Sequence, residues 1–178
     1  MKRLIDQKLI EWKNKKRRKP LVVRGARQVG KTYSVKSFGK SQFEKMAYLD
    51  LERNPELHRV FSTSLDARQI CADMEIILKQ KIRPGNTLLF IDEIQACPRA
   101  ITALRYFYEE IPDLHVIAAG SLLEFTMKEE NISFPVGRLQ FVQLYPLNFI
   151  EYLMATGNDD AAQVLIKPPA RLSDAVHN

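Results

Sequence analysis

Leu21-Val22-Val23-Arg24-Gly25-Ala26-Arg27-Gln28-Val29-Gly30-Lys31-Thr32 is the part of the sequence that constrains the architecture most tightly. Its last eight residues satisfy G-x-x-x-x-G-K-[ST] at every fixed position. Two glycines let the backbone curl until successive N–H groups point inward at an anion. A helix starting there adds its own unpaired N–H groups to the same cradle. Lys31 supplies a point charge for the β and γ phosphates, and Thr32 offers a hydroxyl to Mg²⁺. The apolar run Leu21-Val22-Val23, bounded by Pro20 and Gly25, predicts the buried strand that must precede such a loop. The stretch therefore predicts a nucleoside-triphosphate site. Gly25, Ala26, Arg27, Gln28, Val29, Gly30, Lys31, Thr32 and Tyr33 are its candidate binding residues.

Outward from the loop, strands alternate with helices. Upstream, Ile5, Leu9 and Trp12 keep helical spacing in an opening helix expected to end near Lys16. Downstream, a helix runs from Lys31 to about Phe38, followed by a strand over Met46–Leu51 that Asn54-Pro55 breaks. Asp66 with Gln69 resembles a capping box ahead of the apolar spacing Ala67, Ile70, Cys71, Met74, Ile77 and Leu78. Thr87–Ile91 predicts a third strand, and Pro98 opens a helix that Pro112 closes. His115–Ala119 and Phe141–Leu144 predict the fourth and fifth strands, and Pro146 starts a last helix. This alternation predicts an α/β fold with a parallel sheet covered on both faces. Residues 1–156 form the expected core. From Gly157 periodicity fades and Pro168-Pro169 interrupts, so residues 157–178 are expected to be an irregular tail or the start of a further region.

Composition narrows the class. With 46% hydrophobic and 27% charged residues the chain is that of a globular protein, not a disordered one. Leu88–Ile91 and Val116–Ala119 are too short to cross a bilayer, and Asp6, Lys8 and Glu11 interrupt any leader-like run. No membrane association is expected, and the cytoplasm is the default location. Cys71 and Cys97 have no partner spacing for a disulfide or a zinc site. The net charge of +6 conceals an asymmetry, because residues 1–40 carry fourteen Lys/Arg against two Asp/Glu. The run Lys13, Lys15, Lys16, Arg17, Arg18, Lys19 has the charge to contact nucleic-acid phosphates. Cations at the end of a helix also complement its dipole, and the run lacks interleaved aromatics.

The second chemical constellation is Leu88-Leu89-Phe90-Ile91-Asp92-Glu93. An apolar strand ending in an acid places a carboxylate beside the metal, so Thr32 and Asp92 are the candidate Mg²⁺ ligands. Glu93 is the candidate general base for an attacking water. The paired acids favour hydrolysis over a small-molecule kinase. Arg138 follows Gly137 in an apolar stretch, where it could reach a phosphate of its own or a neighbouring site, or form an ion pair with an acid such as Glu124. No segment of the kind that reads guanine is present, so ATP is the expected nucleotide.

Gly25–Thr32, Asp92-Glu93-Ile94-Gln95, Gly120-Ser121 and Pro135-Val136-Gly137-Arg138 fall in the order found in a group of bacterial and archaeal AAA-type ATPases. The chain resembles that group from its basic first helix through the Pro146-Leu147 helix. The resemblance implies a three-layer P-loop NTPase fold with strand order 5-1-4-3-2, in which His115–Ala119 separates the loop strand from the acid-bearing strand. It implies a catalytic set of Lys31, Asp92, Glu93, Ser121 as γ-phosphate sensor, and Arg138. Gly120-Ser121 could equally cap a helix beginning at Leu122. The resemblance further implies a larger C-terminal region outside these 178 residues, with DNA as a partner through that region or the basic run. The expected activity is Mg²⁺-dependent ATP hydrolysis. A nucleotide-gated switch with negligible basal turnover and a nucleic-acid motor are the alternatives, and the oligomeric state stays open.

Overall fold

A computed structural model of the chain describes residues 3–121, 135 and 137–167. Five strands form one sheet: β1 (Leu21–Arg24), β2 (Lys45–Asp50), β3 (Thr87–Asp92), β4 (His115–Gly120) and β5 (Gln140–Gln143). Their order is β2-β3-β4-β1-β5 and every pairing is parallel. This is the expected 5-1-4-3-2 order read from the other edge, with β4 between the loop strand and the acid-bearing strand.

Side chains alternate across the sheet with the strand period of two, and each set meets its own helical layer. Val22, Leu89, Ile91, Val116 and Ala118 share a core with α3 (His58–Thr63), α4 (Ala67–Leu78) and α5 (Pro98–Glu110). Leu21, Val23, Leu88, Phe90, Ile117 and Ala119 point the other way, onto α1 (Leu4–Lys13) and α2 (Lys31–Gln42). Both β3 and β4 are buried along their whole length, as inner strands of a parallel sheet covered on two faces must be. The layers are helix, sheet and helix, the three-layer P-loop NTPase arrangement.

Several boundaries differ from expectation for local reasons. The first helix stops at Lys13, where Asn14 caps it, rather than near Lys16. Helix α2 continues past Phe38 to Gln42, because Gly39 permits a close approach to Met46 and Leu88 that keeps the helix seated on the sheet. Asp66 caps α4 by accepting from the N–H groups of Arg68 and Gln69, but Gln69 does not complete a box: its side-chain amide donates to Asp73. The helix expected from Pro146 begins at Phe149 instead. Asn148 and Glu151 form the capping box there, and this helix is α6 (Phe149–Ala155). The short α3 was not foreseen. Within the stretch expected to be an irregular tail or the start of a further region there is a helix: α7 (Asp159–Ile166) opens with two acids that suit its N-terminal dipole and buries Ala162. The helix expected at Leu122, Glu124, Val136 and Pro168-Pro169 lie outside the described residues. Among the described residues no helix is long and apolar enough to cross a membrane.

Candidate functional site

The loop between β1 and α2 leaves the carboxyl edge of the sheet and is shaped by two glycines and one unusual glutamine. A Cβ on Gly25 would run into the Leu144 carbonyl oxygen, so only glycine lets the chain pass there. Gly30 has φ 92° and caps α2, a left-handed conformation that glycine adopts without strain. Gln28 is also left-handed, with φ 64°. Residues 25–30 therefore curl back over the start of α2, where backbone N–H groups gather.

Lys31 begins the helix and is buried. Its ammonium donates to the carbonyls of Gly25 at 3.0 Å and Ala26 at 2.8 Å, which folds the side chain along the inside of the loop. Burial pushes its pKa below the ordinary lysine value; the nearby charges of Glu93 and Asp92 oppose that shift and Arg27 adds to it. These mutual effects bring the loop lysine and the acidic pair into one electrostatic site.

Asp92 ends β3 and is buried, with the Thr32 hydroxyl near enough to act on its carboxyl group. The two expected metal ligands thus lie close together. Burial raises the Asp92 pKa, partly countered by the neighbouring Thr32 hydroxyl and reinforced by the Glu93 charge. Glu93 follows in a left-handed conformation, φ 47° and ψ 48°, which turns the chain sharply at the strand end. Its N–H donates to Asp92 Oδ1 at 3.2 Å, and its carboxylate accepts from Gln95 Nε2 at 2.6 Å.

Tyr48 and Asp50 belong to this site and were not anticipated. Asp50 ends β2 and stands opposite Asp92 in the strand register. The Tyr48 hydroxyl lies 3.2 Å from Asp50 Oδ2 and 3.3 Å from Asp92 Oδ2, bridging the two acids. Burial and the two neighbouring carboxylates hold the Tyr48 pKa well above its ordinary value, so it stays a donor. An acid at the end of Met46–Leu51, like the acid ending Thr87–Ile91, was the available signal.

Ser121 is buried immediately beyond β4, one residue past the pairing of Arg24 with Gly120. That puts it level with the start of the loop, on the strand between β1 and β3. Arg138 is elsewhere. It precedes β5, whose first residue Gln140 pairs with Leu21 at the amino edge of the sheet. From there to Gly25 is about 13 Å at the usual strand rise. Its guanidinium pairs instead with Glu109, which also accepts from Arg105. The structure brings Lys31, Thr32, Asp92 and Glu93 together with Ser121 at one edge, and leaves Arg138 at the other. Arg27 and Tyr33 are exposed at the loop.

The donors present suit Mg²⁺ held jointly with phosphate: one hydroxyl, one buried carboxylate and a second acid beside it are hard oxygen ligands. Among the described residues no group of three or more His, Cys, Asp or Glu is arranged as an all-protein metal cage. The basic run is partly engaged with the protein. Lys13 donates to the Gln42 carbonyl, Lys15 to Gln140 and Arg18 to the Asp113 carbonyl, whereas Lys16 and Arg17 are exposed.

Residues 17–153 match the model of a family described as AAA domain. No curated protein matches the chain.

Proposed function

The chain belongs to the AAA domain family, a family of nucleotide-binding ATPase modules, and from that premise we propose that it binds ATP with Mg²⁺ at Gly25–Tyr33 and hydrolyses it. The observation that supports this most is the placement of Thr32 beside the buried Asp92, with Lys31 buried near them and Glu93 next in the chain. Loop amides and the Lys31 ammonium bind the β and γ phosphates, exchanging the Gly25 and Ala26 carbonyls for phosphate oxygens. Thr32 and Asp92 would hold Mg²⁺, which neutralises charge on the phosphates. Tyr48, donating to Asp92 or Asp50, keeps the acidic pair oriented. Glu93 accepts the proton of the attacking water, and Ser121 meets the γ-phosphate from the adjacent strand. Phosphate release from ATP, measured with Mg²⁺ and with excess chelator, tests the assignment. Magnesium-dependent turnover is expected, and turnover insensitive to the chelator would refute it.

One observation favours a slower, switch-like module. The short bond from Gln95 keeps the Glu93 carboxylate engaged, so basal hydrolysis is low until that bond is exchanged for water. Gln95→Ala is then expected to raise basal turnover; unchanged or lower turnover removes this reading. Coupling to DNA rests on charge alone, at Lys16 and Arg17. Salt-dependent DNA binding that Lys16→Ala with Arg17→Ala weakens is its expected signature.

A further inference from the structure

Arg3 stands ahead of α1 and outside residues 17–153. It is buried, and it directs its guanidinium to three separate parts of the chain. Nε donates to Glu151 Oε1 at 2.9 Å, Nη1 to the Val29 carbonyl at 3.1 Å and Nη2 to the Tyr145 carbonyl at 2.9 Å. Glu151 is equally committed: Oε1 also accepts from the Leu4 N–H, and Oε2 accepts from the Asn148 N–H. Each side chain of this ion pair is only 5% exposed.

The Val29 contact ties the network to the phosphate loop. A trans peptide holds its C=O and the following N–H in one plane, pointing in opposite directions. Fixing the Val29 carbonyl therefore fixes the direction of the Gly30 N–H, one of the loop's anion donors. Arg3 Nη1 is also the nearest group, at 3.5 Å, to where a Gly30 Cβ would stand. At its other end the network reaches the capping box of α6, because Glu151 is the N3 residue whose carboxylate satisfies the Asn148 N–H. A planar, pre-organised guanidinium joins the two ends more rigidly than an ammonium could.

We propose that Arg3 is a positioning residue for the phosphate loop and that, through Glu151, it couples occupancy of the loop to helix α6. The proposal rests on the reading that Gly25–Thr32 binds ATP. When phosphate oxygens draw on the Gly30 N–H, the Val29–Gly30 peptide adjusts and the Arg3 fork moves with it. Glu151 carries that adjustment to the first turn of α6. The outward side of α6 presents Phe149 and Tyr152, 65% and 56% exposed and stacked on one another, so the coupled helix carries an aromatic face to solvent.

Amide hydrogen exchange on the whole chain, with and without a saturating non-hydrolysable ATP analogue and Mg²⁺, tests this. In the wild type, peptides covering residues 25–33 and 149–155 are both expected to change exchange on nucleotide addition. Arg3→Lys keeps a cation for Glu151 but cannot hold three acceptors as a fork. It is expected to weaken analogue binding about tenfold, as loss of a charge-assisted hydrogen bond does, and to abolish the α6 response. Glu151→Gln leaves the Arg3 contact with Val29, so affinity stays within about threefold while the α6 response shrinks. It serves as the independent variant should Arg3→Lys fail to fold. A merely structural ion pair would shift the melting temperature and leave the nucleotide-induced change in α6 intact in both variants, which would overturn the proposal. Protection of residues 25–33 without any change in wild-type α6 would overturn the coupling alone. No protection of residues 25–33 would overturn the nucleotide reading and the coupling with it.

Discussion

Replacing Lys31 with Met removes an ammonium while keeping most of the side chain's length. In the structure that ammonium makes two hydrogen bonds, to the Gly25 and Ala26 carbonyls, and sits in surroundings whose burial depresses its pKa. The two effects oppose each other in the free protein. Losing the charge-assisted hydrogen bonds costs about 1.5–3 kcal/mol each, and relieving a buried charge returns several kcal/mol. Folding stability in Lys31→Met is therefore expected to stay within about 1 kcal/mol of wild type. On nucleotide binding the ammonium exchanges those carbonyls for anionic oxygens, and the charge-assisted interaction with phosphate is worth about 1.5–3 kcal/mol. At 1.4 kcal/mol per factor of ten, affinity falls by about 10- to 150-fold. Titration with a fluorescent ATP analogue gives the affinity, and urea denaturation of the same preparation gives the stability. Affinity within twofold of wild type would refute the assignment of Lys31 to phosphate. A stability loss above about 3 kcal/mol with affinity unchanged would refute it too, and would make Lys31 a structural residue.

His115 is buried against Trp12 and Phe43, and burial, with the Arg18 charge adding, lowers its pKa to about 4. Unfolding therefore takes up a proton between about pH 4 and 6.5; stability is full above that window and falls as pH drops through it, by up to about 3 kcal/mol, and His115→Phe should flatten this dependence in urea titrations at stepped pH. Glu151 behaves with the same sign at lower pH. Burial alone would raise its pKa, but the Arg3 bond and two backbone N–H bonds prevail and lower it, so its stabilisation is present above about 4.5 and is lost as pH falls through the folded value, an acid limb that Glu151→Gln should remove from the same titrations. Asp66→Ala deletes the cap of α4 and is expected to cost about 1 kcal/mol in denaturant midpoint analysis with no change in nucleotide affinity. Gly25→Ala drives a methyl group into the Leu144 carbonyl and is expected to lower the melting temperature and weaken analogue binding together.

Much of this arrangement was legible because the signals are local. Gly25, Gly30, Lys31 and Thr32 are tied to one another by a loop geometry that only their spacing satisfies. The inner strands were readable because burial on both faces demands short apolar runs such as Thr87–Ile91 and His115–Ala119. What escaped is contact between distant segments. Tyr48 and Asp50 become site residues only when the parallel register sets Asp50 opposite Asp92. Arg3 and Glu151 are 148 residues apart, and nothing in either local sequence announces the other. Arg138 stood open between a phosphate contact and an ion pair with an acid, and only the position of β5, which starts at the amino edge, brings it to Glu109. Helix α7 was missed because its apolar residues Val164, Leu165 and Ile166 are consecutive and largely exposed, so its one buried position, Ala162, gave no period to detect.

The central claim is that the Lys31, Thr32, Asp92 and Glu93 cluster binds ATP and that Glu93 serves its hydrolysis. Glu93→Gln removes the base while leaving the loop, Thr32 and Asp92 in place. Paired measurements of ATP affinity and of phosphate release in this variant test the claim most directly. Affinity within about threefold of wild type with turnover reduced at least a hundredfold is the predicted result, in line with the usual contribution of a positioned acid–base group. Wild-type turnover in Glu93→Gln, or no measurable ATP binding by the unmodified chain, would contradict it.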